Sequence, residues 1–435
     1  MSSPKFTEKR FIVILAFVTT LFLLWGVAIT MGDVLNRHFQ NVLHVSKSQS
    51  SFVQAAMFGA YFVMGIPAGL FMKKYGYKKG VLLGLSLYAA GAMLFVPAAN
   101  AASFPFFTIA LFVLACGLAS LETVAHPFVA ALGDQRTSDQ RLNFSQSFNG
   151  LGAVVGPLLG GYFLLRSGQD EENVLHSVQS LYLVIGIVIA AIEVVFSFVK
   201  VPALKDPHAA QTPKLHVVGN EGAKPKKLFQ HRHFKWAIAA QFFNVAAQGG
   251  TWAYFINYGI ENVPGLTDER AAYYFSFSMF LLMIGRFVST YLMRFIAPNK
   301  LLAIYAIANA VLCIIITQRL GWPSFIALIM LNFFLSIMFP TIFSLGLKDL
   351  GDHTQQASSY IVMGVVGGAV FPPLMGLIAN HDIAASYYLP LICYAVIFLF
   401  AWKFYKVNSA KEGFPAEGNG PLALEEVPVA GTPIP

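Results

Sequence analysis

The chain has 435 residues, 56% of them hydrophobic and 11% charged, with a formal net charge of +8 and a mean hydropathy of +0.62. A soluble domain carries about 25% charged residues, so this composition excludes an ordinary water-facing surface. The positive charge would suit nucleic acid, but its placement along the chain has another cause and implies no nucleic-acid partner.

Crossing a hydrocarbon core takes about 20 apolar residues, and apolar runs recur along the whole length. The first, 11–33, follows Lys5, Lys9 and Arg10. It is too long for a signal-peptide core and lacks a small-residue cleavage site, so it reads as a retained first helix. Further runs at 52–72, 80–98, 106–131, 143–166 and 179–200 complete one set of six. A second set lies at 235–259, 270–293, 300–318, 323–346, 356–378 and 387–405. The expected fold class is therefore an all-α membrane protein with twelve transmembrane helices in two six-helix halves, 1–200 and 235–406. Between them, 201–234 is polar, basic and proline-bearing, and reads as a cytoplasmic linker. The tail, 407–435, is acidic and rich in Pro and Gly, a composition that predicts disorder.

Placing the N-terminus in the cytoplasm puts 23 Lys and Arg on inside segments and 5 on outside segments, with Arg286 inside a span. Such a bias near helix ends sets orientation and places both termini inside. A basic turn recurs at the same point of each half, in GLFMKKYGYKKG (69–80) and GRFVSTYLMRFIAPNK (285–300). Two halves related by an axis along the membrane normal put the substrate site at midplane between them.

Three acidic residues fall within spans. A charge at the bilayer centre costs at least about 2.5 kcal/mol, so such groups face a cavity or a partner and mark an ion path. Glu122 is mid-span in CGLASLETVAHPFVAALG. Asp33 lies at the outer end of the first span, where an interfacial role competes with a functional one. Glu193, near the inner end of the sixth span, reads as readily as a helix-packing group. A carboxyl group in an apolar site resists ionisation and can take a proton on one side of the membrane and release it on the other. If substrate occupancy alters its solvation, proton and substrate movements become linked. His126, four residues after Glu122, shares its helix face. It can titrate with the carboxylate, or equally rest as a neutral group bonded to backbone near Pro127.

Uncharged polar residues form a second pattern. Gln146 and Asn149 share a face of the fifth span; Gln241, Asn244 and Gln248 share a face of the seventh, with Trp252 one turn on and Asn257 beyond. Gln54 begins the second span. Amides donate and accept, which suits hydroxyl-bearing substrates, and an indole face suits a sugar ring. Helix–helix hydrogen bonding is the competing reading. Arg286 is the lone basic residue within the spans, which disfavours a strongly anionic substrate; it reads as a fastening between helices. Cys116, Cys313 and Cys393 lie in apolar runs without metal-ligand spacing and read as small core residues. The glycine-rich stretch 150–161 lies inside a span, so it is no nucleotide loop, and no nucleophile–base pair marks an enzyme.

The segments FLLWGVAITMGDVL, GIPAGLFMKKYGYKKG, GLASLETVAHPFVAALG, RLNFSQSFNGLGA, AQFFNVAAQGGTWAYFINYGIENVPG, PTIFSLGLKDLG and SSYIVMGVVGGAVFPPLMG resemble the L-fucose–proton symporter family of the major facilitator superfamily, across nearly all twelve spans. The resemblance implies the major facilitator fold and proton-coupled import of a neutral monosaccharide, with the proton as coupling ion and no cofactor. It also implies a bacterial inner-membrane monomer in the lipid bilayer. Asp33 and Glu122 match the family's two functional carboxylates, with Glu122 as proton carrier beside the sugar and His126 as its neighbour. Gln146 and Asn149 match cavity-lining polar positions, and Trp252 an aromatic of span 7. Trp25, Gln54, Asn244, Gln248, Asn257 and Phe339 complete the expected substrate site. This chain has His126 where the family pattern commonly has Asn, Asn257 in place of an expected Arg, and Phe339 in place of an expected Tyr. Ile29, Thr30 and Gly32 stand where the family is rich in asparagine. These departures lie where the sugar would sit and leave its identity open between L-fucose and related hexoses. A uniporter, a proton-coupled transporter of another polar solute and a transporter-like sugar sensor are the alternatives.

Overall fold

The computed structural model describes residues 6–133, 138–165, 171–201, 228–293, 295–348, 350 and 354–406. The expected tail and most of the expected linker lie outside the described residues. Twelve crossings follow one another. The first six are α1 (Ile12–Leu43), α2 (Phe52–Tyr75), α3 (Tyr77–Asn100), α4 (Phe104–Ala131), α5 (Ser138–Leu164) and α6 (Glu171–Phe198). The next three are α7 (Arg232–Ala253, continued by Phe255–Asn262), α8 (Asp268–Leu292) and α9 (Pro298–Thr317). The last three are α10 (Trp322–Leu335 and Met338–Gly346), α11 (Thr354–Met363 and Gly367–Ala379) and α12 (Tyr388–Leu399).

Among the described residues, 11 helices are long and apolar enough to cross a membrane. The twelfth crossing, α7, falls short because Gln241, Asn244 and Gln248 dilute its apolar face. It also breaks at Tyr254, where the chain leaves helical geometry for one residue. Large apolar side chains such as Ile187, Val195, Ile304 and Ile326 are exposed around the bundle. That belt is suited to lipid, since water-soluble monomers rarely expose contiguous apolar surface on this scale.

The first helix departs from its expected length. Apolar content ends near Asp33, but the helix runs on for ten residues to Leu43. Hydropathy measures membrane thickness, whereas helix length is set by capping. His44 stops the helix in a left-handed conformation (φ 50°), and a reciprocal Ser46–Gln49 capping box starts the next turn, Lys47–Ser50. Asp33 is consequently an interior residue of α1, 5% exposed, rather than an interfacial one at its end.

Each half contains helices packed backbone against backbone at glycine. A Cβ on Gly26 would lie 2.2 Å from the Asn149 carbonyl oxygen, and one on Gly152 would lie 2.1 Å from that of Leu23, so α1 and α5 touch through bare backbone. In the second half, a Cβ on Gly367 would lie 2.1 Å from the Phe242 carbonyl oxygen, so α11 sits on α7 in the same way. The halves meet along α5–α8 and α2–α11. Ser276 Oγ donates to the Val154 carbonyl at 2.6 Å, and the Phe58 ring rests on Gly368.

At the face where α1 ends, the halves are tied polar group to polar group. Arg37 Nε lies 2.9 Å from Asp268 Oδ1, and Asn41 Nδ2 lies 2.7 Å from the other oxygen of that carboxylate. Lys47 Nζ reaches Glu261 Oε1 at 2.6 Å and the Ala379 carbonyl at 2.8 Å. Beneath them, Asn36 Nδ2 donates to the Ala253 carbonyl at 2.6 Å, and Tyr254 Oη donates to the Lys47 carbonyl at 2.9 Å.

Candidate functional site

The α4 segment carrying Glu122 and His126 faces α1, α2 and α5. Glu122 is half-buried, near the phenol of Tyr61 on α2. That phenol oxygen in turn accepts from Trp25 Nε1 on α1 at 2.5 Å. Indole N–H can only donate, so this bond runs from Trp25 to Tyr61.

His126 lies one turn along α4, its Nε2 2.6 Å from Gln146 Nε2 on α5. An amide nitrogen can only donate, so the imidazole Nε2 accepts here and the ring proton sits on Nδ1. The amide orientation is thereby set, and its oxygen is left to accept from a ligand hydroxyl. Phe22 and Trp25 turn ring edges toward the imidazole, with centroids at 5.3 and 6.3 Å. Of the two expected roles for His126, this bonding pattern fits the neutral hydrogen-bonding one. Asn149, the other expected ligand on α5, spends its donor on the Phe22 carbonyl at 3.3 Å and so helps join α5 to α1.

Asp33 sits two turns from Trp25 on α1, and its Oδ1 accepts from Gln54 Nε2 at 3.0 Å. Both groups are buried, Gln54 at 1% exposure. Asp33 Oδ2 and Gln54 Oε1 have no protein partner. The two residues border a small cavity, about 10 Å³, with Ile29, Met57, Phe58 and Tyr61; that is room for about one water.

In the second half the expected residues divide. Trp252 is buried, its Nε1 donating to Asn332 Oδ1 at 2.8 Å, while Asn332 Nδ2 donates to Ser278 Oγ at 2.8 Å. Its N–H is thus committed to α10. Gln241 and Asn244 are buried, and none of their four amide atoms has a protein partner. An unpaired buried polar group costs about 1–3 kcal/mol, a cost that water or a ligand hydroxyl would remove. Gln248 and Phe339 are half-buried. Asn257 lies away from these groups in the closed face, where its Nδ2 donates to Gln40 Oε1 at 2.5 Å.

Glu193 accepts from Ser86 Oγ at 2.5 Å, a contact between α3 and α6, and Arg286 Nε donates to the Ser336 carbonyl at the break in α10. Both fasten helices. Among the described residues no group of three His, Cys, Asp or Glu side chains gathers to hold a metal. Tyr61 is the site residue that sequence reasoning missed. Its signal was its place seven residues after Gln54, on the same face of α2.

A sequence model described as Major Facilitator Superfamily matches residues 11–369. The chain is 37% identical to the L-fucose-proton symporter of Escherichia coli over 413 residues, covering 91% of this chain and 93% of that protein. It is 33% identical over 395 residues to a glucose/galactose transporter of Brucella abortus, covering 90% and 94%. A crystal structure of the major facilitator transporter FucP in the outward conformation superposes with a TM-score of 0.65 at 36% identity, covering 92% of this chain and 100% of that one.

Proposed function

Since the chain belongs to the L-fucose–proton symporter family of the major facilitator superfamily, we propose that it carries a neutral monosaccharide and a proton together across the membrane by alternating access. It is a transporter and not an enzyme. The observation that carries the proposal is the half-buried Glu122 carboxyl one helical turn from His126, whose Nε2 holds the Gln146 amide at 2.6 Å. A proton acceptor and a hydroxyl-binding group on adjacent turns make occupancy of one sensitive to occupancy of the other.

The basic residues assign the Arg37–Asp268 face to the outside, so this conformation is closed outward, with Glu122, His126 and Gln146 half-exposed and Asp33 sealed on the outer side. Both termini then lie in the cytoplasm, with 201–234 as a cytoplasmic link between halves 1–200 and 235–406. The membrane is the bacterial inner membrane and the working unit the monomer. Relatives named for L-fucose and for glucose/galactose point to hexoses and 6-deoxyhexoses as the sugar class.

The test is uptake of labelled L-fucose, D-galactose and D-glucose by proteoliposomes with an imposed inward pH gradient. At least one sugar should accumulate and should accelerate proton entry. If none moves and none drives protons, the proposal fails.

A further inference from the structure

We propose that the cleft between α1 and α6 is a lipid site, which seats the end of a phospholipid acyl chain at mid-depth in the bilayer. It lies apart from the carboxylates and amides described above and does not depend on the symport reading.

The cleft arises from the way α6 is held. Its Tyr182 ring stacks on that of Phe95 in α3, with centroids 3.8 Å apart, and a Cβ on Gly186 would lie 3.0 Å from Met93 Cγ. Near the start of α1, the Phe17 and Phe196 rings stack at 4.5 Å. Beyond that contact α1 and α6 enclose a cavity of about 120 Å³. Leu24, Val27, Ala28 and Met31 form its α1 wall, at i, i+3, i+4 and i+7 on one helix face. Tyr88 of α3 and Leu114 of α4 form the floor, and both are buried.

The mouth of the cleft opens on the apolar belt. Val184 and Val188 line it and are 57% and 45% exposed, beside Ile187 of the same belt. Its depth is that of chain ends. Residues 24–31 straddle the centre of α1, Tyr88 that of α3 and residues 182–189 that of α6. In a hydrocarbon core about 30 Å thick, that level holds the ends of the acyl chains and no headgroup.

The lining has the matching chemistry. Lys, Arg, Asp and Glu are absent from it, so it offers a headgroup nothing to bind. An apolar cavity of about 150 Å³ stays dry and takes up benzene, so this one has room for the last few carbons of a chain. Left empty, its walls would forfeit dispersion contacts, which a chain end restores. A seated chain packs directly on α1, the helix that also carries Trp25 and Asp33.

The test is photolabelling of the full chain in phosphatidylcholine bilayers, with adducts located by peptide mass spectrometry. The probe is a phosphatidylcholine carrying a diazirine near the end of one acyl chain. It should label the buried floor, Tyr88 and Leu114, as well as the exposed Ile187. The same lipid with its diazirine beside the glycerol should miss the floor. Ala28→Leu fills the cavity from α1, and Val188→Phe narrows the mouth at an exposed position that leaves packing intact. Each should cut floor labelling severalfold and leave Ile187 labelling unchanged. Floor labelling that is absent, or equal in the parent and both variants, overturns the inference. Floor labelling that declines as the protein is crowded in the bilayer makes the occupant a second copy of the chain and overturns it as well.

Discussion

Arg37 and Asp268, 231 positions apart in the chain, meet at 2.9 Å across the two halves, and Asn41 from the same helix takes the second oxygen of the carboxylate. In the orientation proposed above this contact closes the outer face, so it is expected to bias the equilibrium between conformations and not the stability of either half. A partly exposed ion pair is worth up to about 1 kcal/mol, or roughly a fivefold change in population.

Asp268→Asn should therefore open the outer face more often. The measurement is labelling of a cysteine placed at Gln40 by a membrane-impermeant maleimide, with the native cysteines buried. The rate should rise a few-fold in Asp268→Asn, and the exchanged pair Arg37→Asp with Asp268→Arg should return it toward the starting value. An unchanged rate in the single variant would remove Asp268 from the lock.

Glu122→Gln keeps the size of the side chain but cannot bind or release a proton. Gradient-driven accumulation should disappear while sugar exchange between the two sides survives. The pH dependence of that exchange should flatten, because the group that titrates is gone. Accumulation equal to that of the parent protein would refute Glu122 as the carrier.

His126 orients Gln146, so its loss should be read in sugar affinity before coupling. His126→Ala frees the amide to rotate, and the loss of one oriented hydrogen bond, about 1–1.5 kcal/mol, corresponds to a five- to twelvefold rise in KM for counterflow. The proton-to-sugar ratio should hold. A changed ratio at constant KM would instead make His126 part of the proton path.

Asp33→Asn places an amide nitrogen where Asp33 Oδ2 finds no partner and where Gln54 Oε1 lacks a donor. The two side chains can then form a paired amide contact. The thermal midpoint of the purified variant should be unchanged or a few degrees higher, while proton-driven uptake falls. A variant that is both destabilised and fully coupled would show that Asp33 serves packing alone.

The bundle was legible in the sequence because a membrane span announces itself by composition, and the two carboxylates because charge inside a span is costly. Other features carried no such signal. The last ten residues of α1, five apolar and five polar, break the continuous apolar run, yet they form the helical arm that bears Arg37, Gln40 and Asn41. Asn257 shares the amide chemistry of a sugar ligand, and only the pairing with Gln40 puts it in the closed face. Gln241 and Asn244 read as cavity-lining from their spacing, but a spacing argument fixes a shared face and not what that face meets; both are fully enclosed. Tyr61 stood in FGAYFVMG, where an aromatic residue is ordinary filling. Its hydrogen-bond partner Trp25 is 36 positions away, and local pattern does not report such distances.

The unbroken length of α1 has a mechanical consequence. Trp25, Asp33 and Arg37 are fixed on one rod, and at 1.5 Å per residue the first and last stand about 18 Å apart. A tilt of about 5° about one end moves the other by about 1.6 Å, enough to pull an ion pair out of contact. The proposed sugar pocket, proton site and outer latch need no chain of side-chain messages between them, because the same lever carries all three.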